Sequence, residues 1–99
     1  MRMMLRVTVD TTKGNDAIKS GNMGKIIGSF MERAKPEAAY FTADRGRRCG
    51  YFFLDMMNSS QMPPLTEEFF ISLGADVEFI PVMNSEELQQ GLAAYAAQK

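Results

Sequence analysis

The chain has 99 residues, 45% hydrophobic and 23% charged, with a net charge of −1 from 11 basic and 12 acidic side chains. That is the size and make-up of one globular domain and argues against disorder or a second core. No field of either sign exists to collect a phosphate backbone or an anionic bilayer, so neither nucleic acid nor membrane is an expected partner.

Residues 4–10 alternate, with Leu5, Val7 and Val9 on one face and Met4, Arg6 and Thr8 on the other, which predicts a strand. Residues 11–15 read as a polar connection around Gly14. From residue 16 to 34 the period changes. Met23, Ile26, Ile27, Phe30, Met31 and Ala34 form one apolar stripe of a helix that ends before Pro36. Gly21, Gly24 and Gly28 each cost up to about 1 kcal/mol in mid-helix. The helix therefore has two possible starts, near Asn15 or after Gly21.

Residues 37–43 and 48–56 are strand candidates joined by Asp44-Arg45-Gly46-Arg47, which predicts a hairpin. Residues 58–64 read as a loop. Pro63 or Pro64 then opens a short helix with Leu65, Phe69, Phe70 and Leu73 on its apolar side and Gly74 as its cap. Residues 76–83 make a fourth strand, placed at a sheet edge because Pro81 has no N–H to donate. Asn84 and Glu87 have the spacing of a capping box for a last helix, whose expected buried side is Leu88, Leu92 and Tyr95.

Strand, helix, hairpin, helix and strand in this order predict a ferredoxin-like βαββαβ α+β domain with an extra C-terminal helix and an antiparallel sheet. Both crossover helices then cover one face and leave the other bare. In this respect the chain resembles the dimeric α+β barrel superfamily, in which two bare faces close on each other. Cys49-Gly50-Tyr51-Phe52-Phe53-Leu54-Asp55 resembles its third strand, and Val77-Glu78-Phe79-Ile80-Pro81-Val82 its edge strand. The chain is similar to small uncharacterised members of that superfamily and to the muconolactone-isomerase-like proteins, over residues 5–83. The resemblance implies a homodimer with opposed sheet faces.

The chain has no histidine. That removes the usual haem ligand, the Ser-His and Cys-His pairs and nearly every zinc site, so no metal and no cofactor are expected. Cys49 has no sulfur partner and lies in a strand pattern, where an inert buried thiol is the default. A lone cysteine also suits a reducing compartment. The opening Met1-Arg2-Met3-Met4-Leu5-Arg6 is charged too early for a signal peptide, and no apolar run reaches the ~18–20 residues that span a bilayer. Cytoplasm is therefore the expected location. Gly21-Asn22-Met23-Gly24-Lys25 lacks the spacing and the terminal Ser or Thr of a phosphate loop. Arg45, Arg47 and Arg48 can grip an anion, but such a run more often solvates a turn and guards a strand end. Glu67-Glu68 and Glu86-Glu87 are read as first-turn charges that complement helix dipoles.

Alternation places Arg6, Thr8, Tyr40, Thr42, Tyr51, Phe53 and Asp55 on the bare face. The resemblance makes that face the lining of a cavity in the dimer. Arg6, Tyr40, Thr42, Tyr51, Phe53 and Asp55 are accordingly the candidate ligand-binding residues. Arg6 would hold an anionic oxygen, or else pair with Asp55 or Glu78. Tyr40 and Tyr51 would donate hydrogen bonds, and Asp55 could act as a base. The expected function is binding of a small aromatic or carboxylated compound, with cofactor-independent monooxygenation or isomerisation as the reaction class. The alternative is a non-catalytic sensing or oligomerisation module whose polar face groups only cross-link two sheets.

Overall fold

Alternation at the start of the chain folds as a strand, β1 (Arg2–Thr8), that buries Met3, Leu5 and Val7 and turns Arg2, Met4 and Arg6 to the other side. The structure is a computed structural model and describes residues Met1 to Lys99. After β1 come α1 (Thr11–Ser20), α2 (Asn22–Ala34), β2 (Ala38–Asp44), β3 (Arg47–Asp55), a 3₁₀ turn at Ser59–Gln61, α3 (Met62–Leu73), β4 (Asp76–Pro81) and α4 (Ser85–Ala97). The sheet is antiparallel with order β2-β3-β1-β4. This is the ferredoxin-like α+β arrangement expected from the sequence. β4 takes an edge, and Pro81 is its last residue, where its missing donor is harmless.

Residues 11–15 are not a loop. Asp10 accepts a hydrogen bond from the backbone N–H of Lys13 at 3.0 Å and starts α1 there. Gly21, at φ 83°, then breaks the stretch into two helices. The apolar stripe belongs to α2 alone, whereas α1 buries only Gly14 and Ala17. Gly14 is required by close approach, because a Cβ there would lie 2.9 Å from Val9 Cγ1 and 2.9 Å from Arg48 Nη1. The hairpin turns on Arg45 (φ 53°) and Gly46 (φ 77°), the two positive φ values of a type I′ turn. Glu67 and Glu68 sit beyond the first turn of α3, which begins at Met62. Their expected dipole role is therefore not met, while Glu86 and Glu87 do occupy the first turn of α4.

One face of the sheet and α1, α2 and α3 enclose the core. Phe30, Phe52, Leu5, Leu54 and Leu73 are its largest fully buried side chains. Phe30 stands 4.6 Å from Phe52 and 5.0 Å from Phe69, ring centre to ring centre. Met3, Met23 and Met56 fill the remaining space, an ordinary use of methionine. Gly24 and Gly28 face open space on α2. Replacing either with alanine is expected to raise stability by about 0.5–1 kcal/mol, read as a higher urea midpoint, because alanine loses less chain freedom on folding. A drop would mean that α2 packs on something through that face.

α4 departs from expectation. Its capping box forms, with Asn84 and Glu87 bonded reciprocally. Yet Leu88, Leu92 and Tyr95 are 46%, 57% and 55% exposed, and none of its residues joins the core. The radius of gyration is 16.1 Å, against about 13 Å for a compact chain of this length. The helix projects from the domain, tied at its first turn by the ion pair of Glu87 with Arg2. No helix is long and apolar enough to cross a membrane.

Candidate functional site

Strand register sets the side chains of the open face in rows. One row is Tyr40, Tyr51, Arg6 and Glu78, from edge to edge. The next, toward the start of β1, is Ala38, Phe53, Met4 and Ile80. On the other side lie Thr42, Cys49, Thr8 and Asp76. The six candidate residues thus share one face, but only Arg6, Tyr40 and Tyr51 share a row. Thr42 lies one row away toward the hairpin, Phe53 one row in the other direction and Asp55 a further row beyond Phe53.

Arg6 stands on a central strand and does not reach open water unpaired. Its Nη1 donates to Glu78 at 2.9 Å, and its Nη2 donates to Asp44. Glu78 was an expected partner. Asp55 was the other, and it is replaced by Asp44. Asp55 instead pairs with the terminal ammonium of Met1 at 2.7 Å, which holds its carboxyl below the usual range, by hydrogen bond first and charge second. Asp44 escaped the sequence reading because it was assigned to the turn. It is in fact the last residue of β2, and strand parity there aims it at Arg6.

Asp44 also accepts from the Tyr51 hydroxyl at 3.3 Å, and the Arg6 guanidinium lies 5.9 Å from the centre of the Tyr51 ring. The hydrogen bonds to Asp44 and Tyr51 raise the Arg6 pKa, so it remains a cation. For Tyr51, the Arg6 hydrogen bond pulls the phenol down, but burial and the Cys49 thiol push it up by more. Tyr51 is therefore a hydrogen-bond donor that keeps its proton at neutral pH. Two carboxylates on one guanidinium leave no surplus positive charge in this row. Arg6→Met should accordingly lower the melting temperature, since it strands Asp44 and Glu78 side by side. An unchanged melt would place Arg6 outside this network.

A different opening lies on the helix side of the sheet. It is a crevice of about 190 Å³ walled by Val7, Val9, Met23, Ile27, Phe41 and Phe52, with Arg48 on its rim. It lies where the edge strand β2 meets α2, beside Gly50, which has no side chain to fill it. Phe41 faces the helices as expected, yet it remains 58% exposed along this gap. Arg48 makes no ion pair, in contrast to Arg2, Arg6 and Arg47. Its guanidinium rests over Gly14 of α1. The volume is below the roughly 300 Å³ of a drug-sized site, and above the ~150 Å³ that admits a benzene ring. The sequence carried one signal for it, an isolated glycine inside a strand pattern, which marks close approach or missing packing. No group of three or more His, Cys, Asp or Glu side chains is placed to hold a metal ion. Comparison with known protein families, curated proteins and solved structures found no match.

Proposed function

We propose that the protein is a small-molecule-binding protein of the dimeric α+β barrel type, with two copies opposing their open sheet faces. Each copy takes one aromatic ring bearing an anionic group. The observation that carries this reading is the apolar crevice with an uncompensated arginine on its rim. An apolar wall with a few placed polar groups is how small-ligand sites are built. Arg48 supplies a fork of donors for a carboxylate, and neutralising it costs no existing ion pair. The proposal is one of binding. Tyr40 and Tyr51, the proton donors that the implied oxidation or isomerisation would use, lie on the opposite face of the sheet from a ligand in this crevice.

Benzoate and uncharged benzyl alcohol are suitable probes, followed by methyl NMR. Both are expected to shift the methyl signals of Ile27 and Met23. Arg48→Gln should weaken benzoate by roughly ten- to a hundredfold and leave benzyl alcohol unchanged, since a charge-assisted contact is worth roughly 1.5–3 kcal/mol. No shift at these methyls with either probe at millimolar concentration sinks the reading. The Arg6 network favours the second reading, an assembly or sensing module. There Arg6, Asp44 and Glu78 brace the sheet and bind nothing. A dimer that ignores both probes is the outcome that supports it.

A further inference from the structure

α4 has a capping box at its start, but none of its residues packs on the core, so burial does not account for its being folded. Isolated helices shorter than ~12–15 residues are marginal in water, and α4 has 13. It carries Gly91 in its middle and no basic residue in its last turn. From Leu88 to Gln98 it has no charged side chain. A helix surrounded by water normally carries charges on its exposed faces. This one instead offers Leu88, Leu92 and Tyr95, spaced four and three residues apart, as one apolar stripe. Its composition is that of a helix that packs, and its position is that of one with nothing to pack on.

Three observations identify the missing surface as a second copy of the chain. The link from β4 to α4 is short, and the capping box fixes the helix start, so α4 leads away from its own core. The tie at its first turn, Glu87 to Arg2, stands at the border of the open face, because Arg2 is an open-face residue of β1. The stripe therefore begins where the proposed interface ends and continues it outward. The third observation is area. Strands of seven residues at ~3.3 Å per residue and ~4.8 Å spacing give a four-stranded face of about 400 Å² in plane footprint. Two opposed faces bury about 800 Å², below the roughly 1,200–2,000 Å² of a stable interface. A 13-residue helix, about 20 Å long and ~10 Å wide, adds about 200 Å² on itself and the same on what it covers. Two such arms bring the total to about 1,600 Å², inside that range.

We propose that α4 is an exchanged arm. In the dimer each α4 lays its Leu88-Leu92-Tyr95 stripe on the other copy, and its helix is stable only there. This rests on the dimer of opposed faces, and the test separates the two. Sedimentation and far-ultraviolet circular dichroism are followed on the full chain from about 0.1 to about 100 µM. Three proteins are compared: the wild type, the variant Leu88→Gln/Leu92→Gln/Tyr95→Gln, and Phe53→Arg on the open face. Glutamine keeps a helix propensity close to that of leucine, so a change reports lost packing rather than a poorer helix. The expected result is a wild-type dimer that loses helical signal as it dissociates, with the arm variant weakened about a hundredfold or more. A dimer equally tight in the arm variant overturns the arm and leaves the opposed faces standing. A dimer that survives Phe53→Arg but not the arm variant supports the arm and overturns the opposed faces. A wild-type monomer with full helical signal at every concentration means that α4 closes on its own chain, and overturns both.

Discussion

Phe52→Ala is expected to remove about 3–5 kcal/mol of stability, which is a large part of the roughly 5–15 kcal/mol that a small domain has. Phe52 is 2% exposed on β3 and is the hub of an aromatic cluster. Its ring centre lies 4.6 Å from Phe30, 5.6 Å from Phe41 and 6.3 Å from Phe69. Those contacts join the sheet to both crossover helices, α2 and α3, so the hole left by alanine opens where the two layers meet. Aromatic pairs add about 0.5–1.5 kcal/mol beyond the area they bury. At about 4–8 °C per kcal/mol for a domain of this size, the melting temperature should fall by tens of degrees. Thermal and urea melts followed by circular dichroism measure it. A loss under about 1 kcal/mol would mean that Phe30 and Phe69 close the hole by moving together. Phe52→Leu, which keeps most of the volume, should lose much less.

Phe53, the next residue, points the other way, and its replacement by arginine should leave the core of the single chain folded and break the proposed dimer. The open face carries Met4, Tyr40, Tyr51, Phe53 and Ile80, with Tyr40 64% exposed in the single chain. A face of this kind seldom stays bare in solution. Phe53 lies between Ala38 and Met4 in its row, away from the Arg6 ion pairs. A two-fold axis presents each substitution twice, so two unpaired guanidinium groups meet an apolar surface on the partner. The expected change is from a species of twice the 11.1 kDa chain mass to a single chain at micromolar concentration, read by light scattering. A wild type that is already a single chain would overturn the expectation directly.

The layout of strands and of the crossover helices over the core was legible in the sequence because each buried element carries its own period. Leu5 and Val7 alternate in β1, while Ile26 and Phe30 recur at helical spacing in α2. The first turn of α1 and its break from α2 at Gly21 were missed, because α1 buries almost nothing and so has no stripe of its own to read. Its mark was the cap, Asp10 three residues before the N–H of Lys13. α4 failed in the opposite way. Its stripe was read correctly as apolar, but periodicity tells which side of a helix seeks burial and not whether its own chain supplies the burial. Around Arg6, alternation found Glu78 as the cross-strand neighbour, because register follows from parity. Asp44 lies one strand further out and two rows toward the hairpin, and reaches Arg6 diagonally, a contact that depends on side-chain length and sheet twist. The crevice depends on how closely the helices meet the edge strand, which is a property of packing and leaves almost no trace in local pattern.

The strand order also gives the molecule two unlike borders. β4 ends one side of the sheet with Asp76, Glu78 and Pro81, each of which discourages a further strand from joining. β2 ends the other side, and from residue 38 to 43 it runs Ala-Ala-Tyr-Phe-Thr-Ala, with neither charge nor proline. Its outer N–H and C=O groups meet no strand of the same chain. A six-residue stretch of this composition at a sheet edge is a template for cross-β growth. The molecule therefore has one guarded border and one adhesive border, and any strand addition by a misfolded neighbour begins on β2.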